Sequence, residues 1–476
     1  MITLKKIAAV SANDNLVILC TRRTNFGALG LSPVETAFVK SELELEKKLI
    51  VLNQFRRFVF IQLLPEKKAL PQTNETIRRA GNTIGGYCNE HKLTTVVIAD
   101  TENKPAAALA LAEGMALGNY QFLKYRSDKK KEAHSLATLF INSKKLKEAD
   151  VAAMNIVLEA TLLARTLVNE PVNSLDAVKL GKEFERMGRE AGFQVEVLSE
   201  AKIQSLKMGG LLAVNQGSID PPTFTVMEYK PKNAKNKKPF VLVGKGVTYD
   251  TGGLSLKPTA NSMDLMKCDM AGGAMVGAVL YAIAKARLPV HVVGLVPATD
   301  NRPGENAFAP GDVITMMSGQ TVEMLNSDAE GRMILADALH YAKRYNPELV
   351  CEFSTLTGAA ASAIGGGGIV MMGNAGERYK NRLQKSGDQV YERLAEFPFW
   401  EEYDEMIKSD IADMKNVGGP SGGAITAGRF LLKYTDYPFL HFDIAGPAFL
   451  STRDGYRVKG GTGVGVRLMF DFFKNL

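Results

Sequence analysis

Three short stretches concentrate the side chains able to do chemistry. Lys245 and Asp250 lie in Gly244-Lys-Gly-Val-Thr-Tyr-Asp-Thr-Gly-Gly253, Asp264 and Asp269 in Met263-Asp-Leu-Met-Lys-Cys-Asp-Met270, and Asp328 and Glu330 in Asn326-Ser-Asp-Ala-Glu-Gly-Arg332. Carboxylates brought together without enough cations repel one another, and a bound divalent ion is the usual resolution. A metal centre built mainly on oxygen is therefore expected. His91, His134, His291, His340 and His441 show no HxxxH or comparable ligand spacing, so a histidine-based zinc site is not. Cys20, Cys88, Cys268 and Cys351 are far apart and form no CxxC pair, which argues against a zinc knuckle or a dense disulfide framework and suits a reducing compartment.

Each stretch also has a plainer reading. Asp328 and Glu330 could mark a helix N-terminus, with Ser327 or Asp328 capping free N–H groups; the two readings are compatible. If Gly331 opens a helix over 333–345, extended geometry on the preceding turn would project residues 328 and 330 to one side. Arg332 would then sit at a helix N-terminus, a natural anion site. Lys245 between two glycines could clamp a phosphate, but the pattern GxxxxGK[ST] is absent. The glycines at 365–368 and the segment 416–428 read as tight turns or mobile loops, without the GxGxxG order of a dinucleotide loop.

Strand-length apolar runs precede the polar clusters: 240–243 before Gly244-Lys245-Gly246, 291–296 before Pro297, 349–353 before Ser354-Thr-Leu-Thr-Gly358, and 439–442 before Asp443-Ile-Ala-Gly446. Continuous Val/Ile/Leu/Phe runs separated by helical patterns predict a buried, mixed and largely parallel sheet. Sites in such sheets lie at the carboxyl ends of strands, so three of these polar ends should meet in one pocket. The first third alternates β-like runs at 15–20, 58–64 and 94–98 with a helical pattern at 105–117. The fold class expected is thus α/β, with a smaller N-terminal domain over 1–147 and a larger catalytic domain over 171–476. An alanine- and leucine-rich helix at 148–170 would link them, ending before Pro171 because proline disfavours helix in the residue before it.

A length of 476 residues suits two domains, and 46% hydrophobic with 23% charged residues leaves no room for extensive disorder. The net charge of +7 is spread along the chain and does not by itself indicate a nucleic-acid protein. Lysines in 124–131 read as a solvated loop leading into a strand at 135–141. Residues 1–12 read as a first strand rather than a secretory leader. No run approaches 18 consecutive apolar residues, so no membrane span is expected and a cytoplasmic location is.

The stretch Asn326-Ser-Asp-Ala-Glu-Gly-Arg332 resembles the signature Asn-Thr-Asp-Ala-Glu-Gly-Arg of the leucyl aminopeptidase family of cytosolic dinuclear-metal exopeptidases. The resemblance continues through residues 244–253, Lys267-Cys-Asp-Met-Ala-Gly-Gly273, Thr355-Leu-Thr-Gly358, Asp443-Ile-Ala-Gly446 and Gly461-Thr-Gly463 with Val466-Arg467. It covers residues 160–476; the first third shows only the family's general α/β style. It implies two divalent ions per subunit, zinc or manganese. Lys245, Asp250, Asp269 and Glu330 would hold one, and Asp250, Asp328 and Glu330 the other. Lys245 would ligate as a neutral amine. Lys257 would polarise the scissile carbonyl, and Arg332 would hold an anion such as bicarbonate as general base. A water activated between the metals would cleave the first bond of a peptide whose free α-amine is also bound. Met266, Thr355, Leu356, Gly358, Ala445 and Ala448 match the family's positions around the first substrate residue, an apolar set suiting Leu or Met with broad specificity, although each is also an ordinary packing residue. A homohexamer is implied as well.

Two departures stand out. Ser327 replaces the usual threonine, expected to change packing rather than chemistry. The segment between Lys257 and Asp269 is one residue longer than the commonest spacing; Asp269, fixed by the following Met270-Ala-Gly-Gly273, is the expected ligand and Asp264 an outer or surface carboxylate. A two-metal phosphatase or nuclease would want the same acids but leaves the apolar set unexplained. Some proteins resembling this family also bind DNA, and a dual-role or noncatalytic binder would show salt-sensitive duplex affinity. Nucleic acid is not the predicted partner; peptides are.

Overall fold

Strands form where β-branched and aromatic residues run uninterrupted, and in the computed structural model, which describes residues 1–66 and 69–476, they build two separate major sheets. The chain divides into two compact units, Met1–Leu162 with Thr452–Lys459, and Leu163–Ser451 with Gly460–Leu476. The helix Glu148–Asn169 runs across the division at residue 162.

In the first unit the strands are β1 (Thr3–Lys6), β2 (Leu16–Cys20), β3 (Leu49–Asn53), β4 (Phe58–Leu63), β5 (Thr95–Asp100) and β6 (Thr138–Asn142), ordered β1-β6-β5-β2-β4-β3. Only β3 with β4 is antiparallel. Every residue of β2, Leu-Val-Ile-Leu-Cys, is buried, as a continuous apolar run in a covered parallel sheet requires. The helices Leu70–Glu90 and Pro105–Gly118 are joined by buried Arg78, which pairs with Glu75 at 2.7 Å and Glu113 at 2.6 Å. The lysine-rich stretch is not loop throughout: Lys129–Glu132 forms one exposed helical turn, and the strand after it begins at Thr138 rather than 135.

The second unit contributes β7 (Gln194–Leu198), β8 (Thr223–Tyr229), β9 (Phe240–Gly244), β10 (Gly246–Asp250), β11 (Val292–Asn301), β12 (Asp312–Thr315), β13 (Thr321–Met324), β14 (Leu349–Ser354), β15 (Ile369–Gly373), β16 (Leu394–Glu396), β17 (Met414–Lys415) and β18 (Phe439–Asp443). Nine of them make one sheet in the order β16-β15-β18-β14-β9-β11-β8-β7, with β10 added on β11. Its centre, β18 to β11, is parallel. Antiparallel pairs lie towards the edges, β8 on β11, β7 on β8 and β15 on β18, so the sheet is mixed and largely parallel, as the sequence indicates. Helix Ala271–Lys285, apolar all round, is buried along nearly its whole length against β9, β11 and β14. Helix Gly331–Ala342 is likewise buried and lies against β9 and β11.

Two helical stretches, Glu148–Asn169 and Met263–Lys285, are long and apolar enough on average to cross a bilayer, a property that counting consecutive apolar residues misses. Core helices pass the same test, and 89% of the most apolar 18 residues of the second stretch is buried inside the protein. The segment 416–428 is also only partly turn: its irregular part ends at Gly422, and Gly423–Leu432 is a helix that includes Gly423 and Gly428. All four cysteines are free and buried.

Candidate metal centre

Neighbouring strands β18, β14 and β9 deliver their carboxyl ends side by side, and these carry Asp443, Ser354 with the following Thr355, and Gly244 with Lys245. The chain breaks stride at Lys245, whose N–H still bonds to Phe353 O at 3.1 Å, then continues as β10 along β11. A register shift between Val247 and Asp250 aligns Asp250 with Asn301. Gly252 and Gly253 turn the chain there with φ of +85° and +62°, backbone that glycine adopts freely; a Cβ on Gly253 would lie 2.8 Å from Asn301 Oδ1.

Asp250, Asp328 and Glu330 each present an oxygen within 4.8 Å of the others. Lys245 Nζ lies 2.7 Å from Asp269 Oδ2 and 2.9 Å from Glu330 Oε1. Lys257 Nζ lies 2.8 Å from Asp250 Oδ2 and also contacts Asp328 Oδ1. Six of the seven residues expected at the centre thus form one connected set. Arg332 is the seventh: it is buried in the first turn of helix Gly331–Ala342, and Glu330 and Asp443 both act on its charge. Asp264 is not brought in; it is exposed and accepts Ser262 N–H at 3.0 Å.

The capping alternative for residues 328 and 330 is not what forms. Glu330 occupies the N-cap of the helix with αR dihedrals and accepts no N–H there. Nor is the approach extended: residues 327–328 lie in a turn, with Ala329 N–H bonding back to Asn326 O at 3.1 Å, and this turn brings the two acids together. Gly331 leaves room for Lys245: a Cβ would fall 2.4 Å from Lys245 Cε and displace the amine from its carboxylates.

Burial, then Asp250, raises the Glu330 carboxyl to about 8, against the pull of the two lysines. Burial likewise lifts Asp269 to about 6 despite Lys245, and raises Asp328. Burial acts to lower Lys245, but Asp269, Glu330 and Asp250 outweigh it and hold the amine protonated. Carboxylates this costly to ionise call for a stronger positive partner than two lysines. Glu330 Oε2 is buried with no hydrogen-bond partner among the described residues. Hard oxygen donors with an orphaned carboxylate oxygen fit a divalent cation.

A supporting layer of hydrogen bonds is not visible in the sequence. Asn301 donates to Asp250 Oδ1 and to Ser327 O, both at 2.9 Å. Thr355 Oγ1 donates to Asp269 Oδ1 at 2.7 Å. Ser327 Oγ accepts from Ser255 N–H at 2.7 Å and donates to Gly252 O at 2.6 Å, while Ser327 N–H donates to Ser255 Oγ. Asn416 O accepts from Arg332 Nη1 at 2.5 Å, leaving Arg332 Nε buried and unpartnered among the described residues; burial lowers this guanidinium to about 10. Only the polar residues directly after strand ends had a readable signal, and Asn301 and Asn416 had none.

Around the cluster, Asp443 Oδ1 accepts Leu356 and Ala445 N–H at 3.3 and 3.1 Å, and its Oδ2 accepts from Thr357 Oγ1 at 2.7 Å. The segment 355–358 and Ala445 are thus tied to one carboxylate. Gly358 has open space where a Cβ would be. Met266 is half-buried and reaches Asp269 through its backbone carbonyl, whereas Ala448 is fully buried and packs as core. Beneath, on β14 and β18, His441 Nδ1 bonds to Glu352, both side chains fully buried.

Residues 162–470 match the catalytic domain of the cytosol aminopeptidase family, and residues 66–129 match that family's N-terminal domain, a relationship the sequence motifs alone did not reveal. A probable cytosol aminopeptidase of Chlorobaculum tepidum is 46% identical over 389 residues, 79% of this chain and 76% of that protein. One from Chloroherpeton thalassium is 41% identical over 89% of this chain and 87% of its own length. Among solved structures, the bottromycin maturation enzyme BotP in complex with Mn superposes with a TM-score of 0.85 at 30% identity, covering 98% of this chain and 99% of that one. A mutant of tomato leucine aminopeptidase gives 0.88 at 26% identity, covering 100% and 97%. With the family's catalytic domain matched over the whole of the carboxylate cluster, the chain belongs to the cytosol aminopeptidase family and is a leucyl-type metalloaminopeptidase.

Proposed function

We propose that this aminopeptidase removes Leu- or Met-like residues from peptide N-termini with broad specificity, using two divalent ions. Lys245, Asp250, Asp269 and Glu330 would hold one ion, and Asp250, Asp328 and Glu330 the other. The observation that carries the reading is the convergence of three carboxylate oxygens within 4.8 Å, one acid having a second oxygen with no partner among the described residues. Bound ions supply Lewis acidity and a water acidic enough to attack at neutral pH.

The chain's own groups do the rest. Lys245 would ligate as a neutral amine, its proton passing to solvent. Lys257, which contacts Asp250 and Asp328, would stabilise negative charge growing on the scissile carbonyl oxygen. Arg332, with Nε unpartnered among the described residues, would hold a small anion such as bicarbonate as proton acceptor. Met266, Thr355, Leu356, Gly358 and Ala445 would receive the first side chain; open space at Gly358 supports this. Zinc and manganese are both suitable ions, and the Mn-bound BotP structure favours testing manganese first. A cytoplasmic homohexamer is the proposed form, and light scattering tests the assembly.

The deciding experiment is leucine release from a leucyl anilide by metal-stripped protein, before and after adding manganese or zinc, with an N-acetylated substrate as control. Cleavage should require metal and a free amine, and Asp328→Ala should lose activity about a thousandfold or more. Metal-independent turnover, or equal cleavage of the acetylated substrate, rejects the mechanism.

A further inference from the structure

At the end of β9 opposite Lys245, the loop around Lys235 and Lys237, the start of the strand and helix Glu377–Val390 enclose a cavity of about 380 Å³. Five residues of strand, spanning roughly 15 Å, separate it from the carboxylate cluster. Its size is that of a small-ligand site.

Its charge is lopsided. Lys235, Lys237, Arg378 and Arg382 line it, and among the described residues none of the four has an ion-pair partner; Lys474 adds a fifth cation to the lining. The acidic side chain there, Glu348, is engaged: Tyr379 donates its hydroxyl to Oε1 at 2.5 Å. Arg378 and Arg382 are four residues apart on one helix, so they share a face, where like charges destabilise unless an anion joins them. The loop is lysine-rich over its length, Lys230-Pro-Lys-Asn-Ala-Lys-Asn-Lys-Lys-Pro239. It is pinned where it enters the cavity: Lys235 N–H bonds to Pro289 O, and Asn236 exchanges two hydrogen bonds with the His291 backbone.

The remaining wall is apolar, with three aromatic rings beside Pro289, Val290 and Leu476. Phe240 meets Tyr379 edge-on at 6.2 Å and Phe473 at 5.6 Å, and Tyr379 is half-exposed. Guanidinium forks suit phosphate oxygens, and a half-exposed ring suits a flat heterocycle.

We propose that this cavity binds a nucleoside polyphosphate, with its phosphates on Arg378, Arg382 and the loop lysines and its base against Tyr379 and the edge of Phe240. The test is calorimetric titration of the metal-loaded protein with ADP, pyrophosphate and adenosine. ADP should bind saturably and about tenfold tighter than pyrophosphate, with adenosine weaker still. Arg378→Gln with Arg382→Gln should weaken ADP about tenfold or more, as should Lys235→Gln with Lys237→Gln, while leucyl anilide turnover is unchanged and certifies the fold. Asp328→Ala should bind ADP normally. The assignment is overturned by absent ADP saturation, by pyrophosphate binding as tightly as ADP, by ADP affinity surviving both double variants, or by its loss in Asp328→Ala, which would place the nucleotide on the metal centre.

Discussion

Asp269 depends on one neighbouring hydroxyl. Thr355 donates to its Oδ1 while Lys245 takes its Oδ2, so both oxygens are aimed before any substrate arrives. Outer hydrogen bonds of this kind are worth about 10–100-fold in metal affinity. Thr355→Val should therefore release metal that much more readily to a competing chelator, and Thr355→Ser should restore it; equal affinity in all three proteins would show that the hydroxyl only packs. The acids themselves were legible because Asp328-Ala-Glu330 and Lys245 to Asp250 sit in dense local signatures. Thr355 matches a pocket position by resemblance, but its hydroxyl's partner lies 86 residues away, a contact no local spacing encodes.

At the level of elements, the turn at 252–255 is held to the approach of helix Gly331–Ala342 by a reciprocal pair of serines, Ser255 and Ser327. A threonine at 327 would keep the hydroxyl, so the serine preserves the hydrogen bonding, which bears more on the site than the methyl it lacks. Ser327→Ala leaves buried Gly252 O without its donor, a cost of about 1–3 kcal/mol. Thermal unfolding should show that loss, with Ser327→Thr close to the parent; an alanine variant as stable as the parent would mean the turn is held elsewhere. Sheet class and the positions of the central strands β9, β11, β14 and β18 were readable from continuous apolar runs. The turn geometry of residues 326–330 was not, because it rests on Asn326 and Asn416, polar residues that equally suit an exposed loop.

Across the whole molecule, stability carries a pH dependence from Asp337. Its two oxygens accept N–H bonds from Leu211 at 3.0 Å and Met317 at 2.9 Å, tying three segments together, yet burial outweighs them and raises the carboxyl to about 7. An unfolded aspartate titrates near ~3.9. The folded value is the higher, so this group's contribution is complete below about pH 4 and is lost as pH rises through 7. Asp337→Asn lacks that loss. In denaturant titrations the stability gap between parent and variant should shrink from pH 5 to pH 8; a constant gap would mean Asp337 does not titrate in that window. Two α/β units could be anticipated from length and pattern, but the return of Thr452–Lys459 to the first unit could not, since its Arg453, Asp454 and Tyr456 bond to residues more than three hundred positions earlier.

The buried His441–Glu352 pair has a consequence of another kind. Burial works to lower the imidazole's pKa, but Glu352 outweighs it and raises it, so a proton is held between strands β14 and β18 where both side chains are fully shielded. Solvent can replace that proton only when the packing that shields the pair opens. Its exchange lifetime is therefore a clock for local opening directly beneath Asp443 and the pocket segment, and it runs whether or not a peptide is being cut.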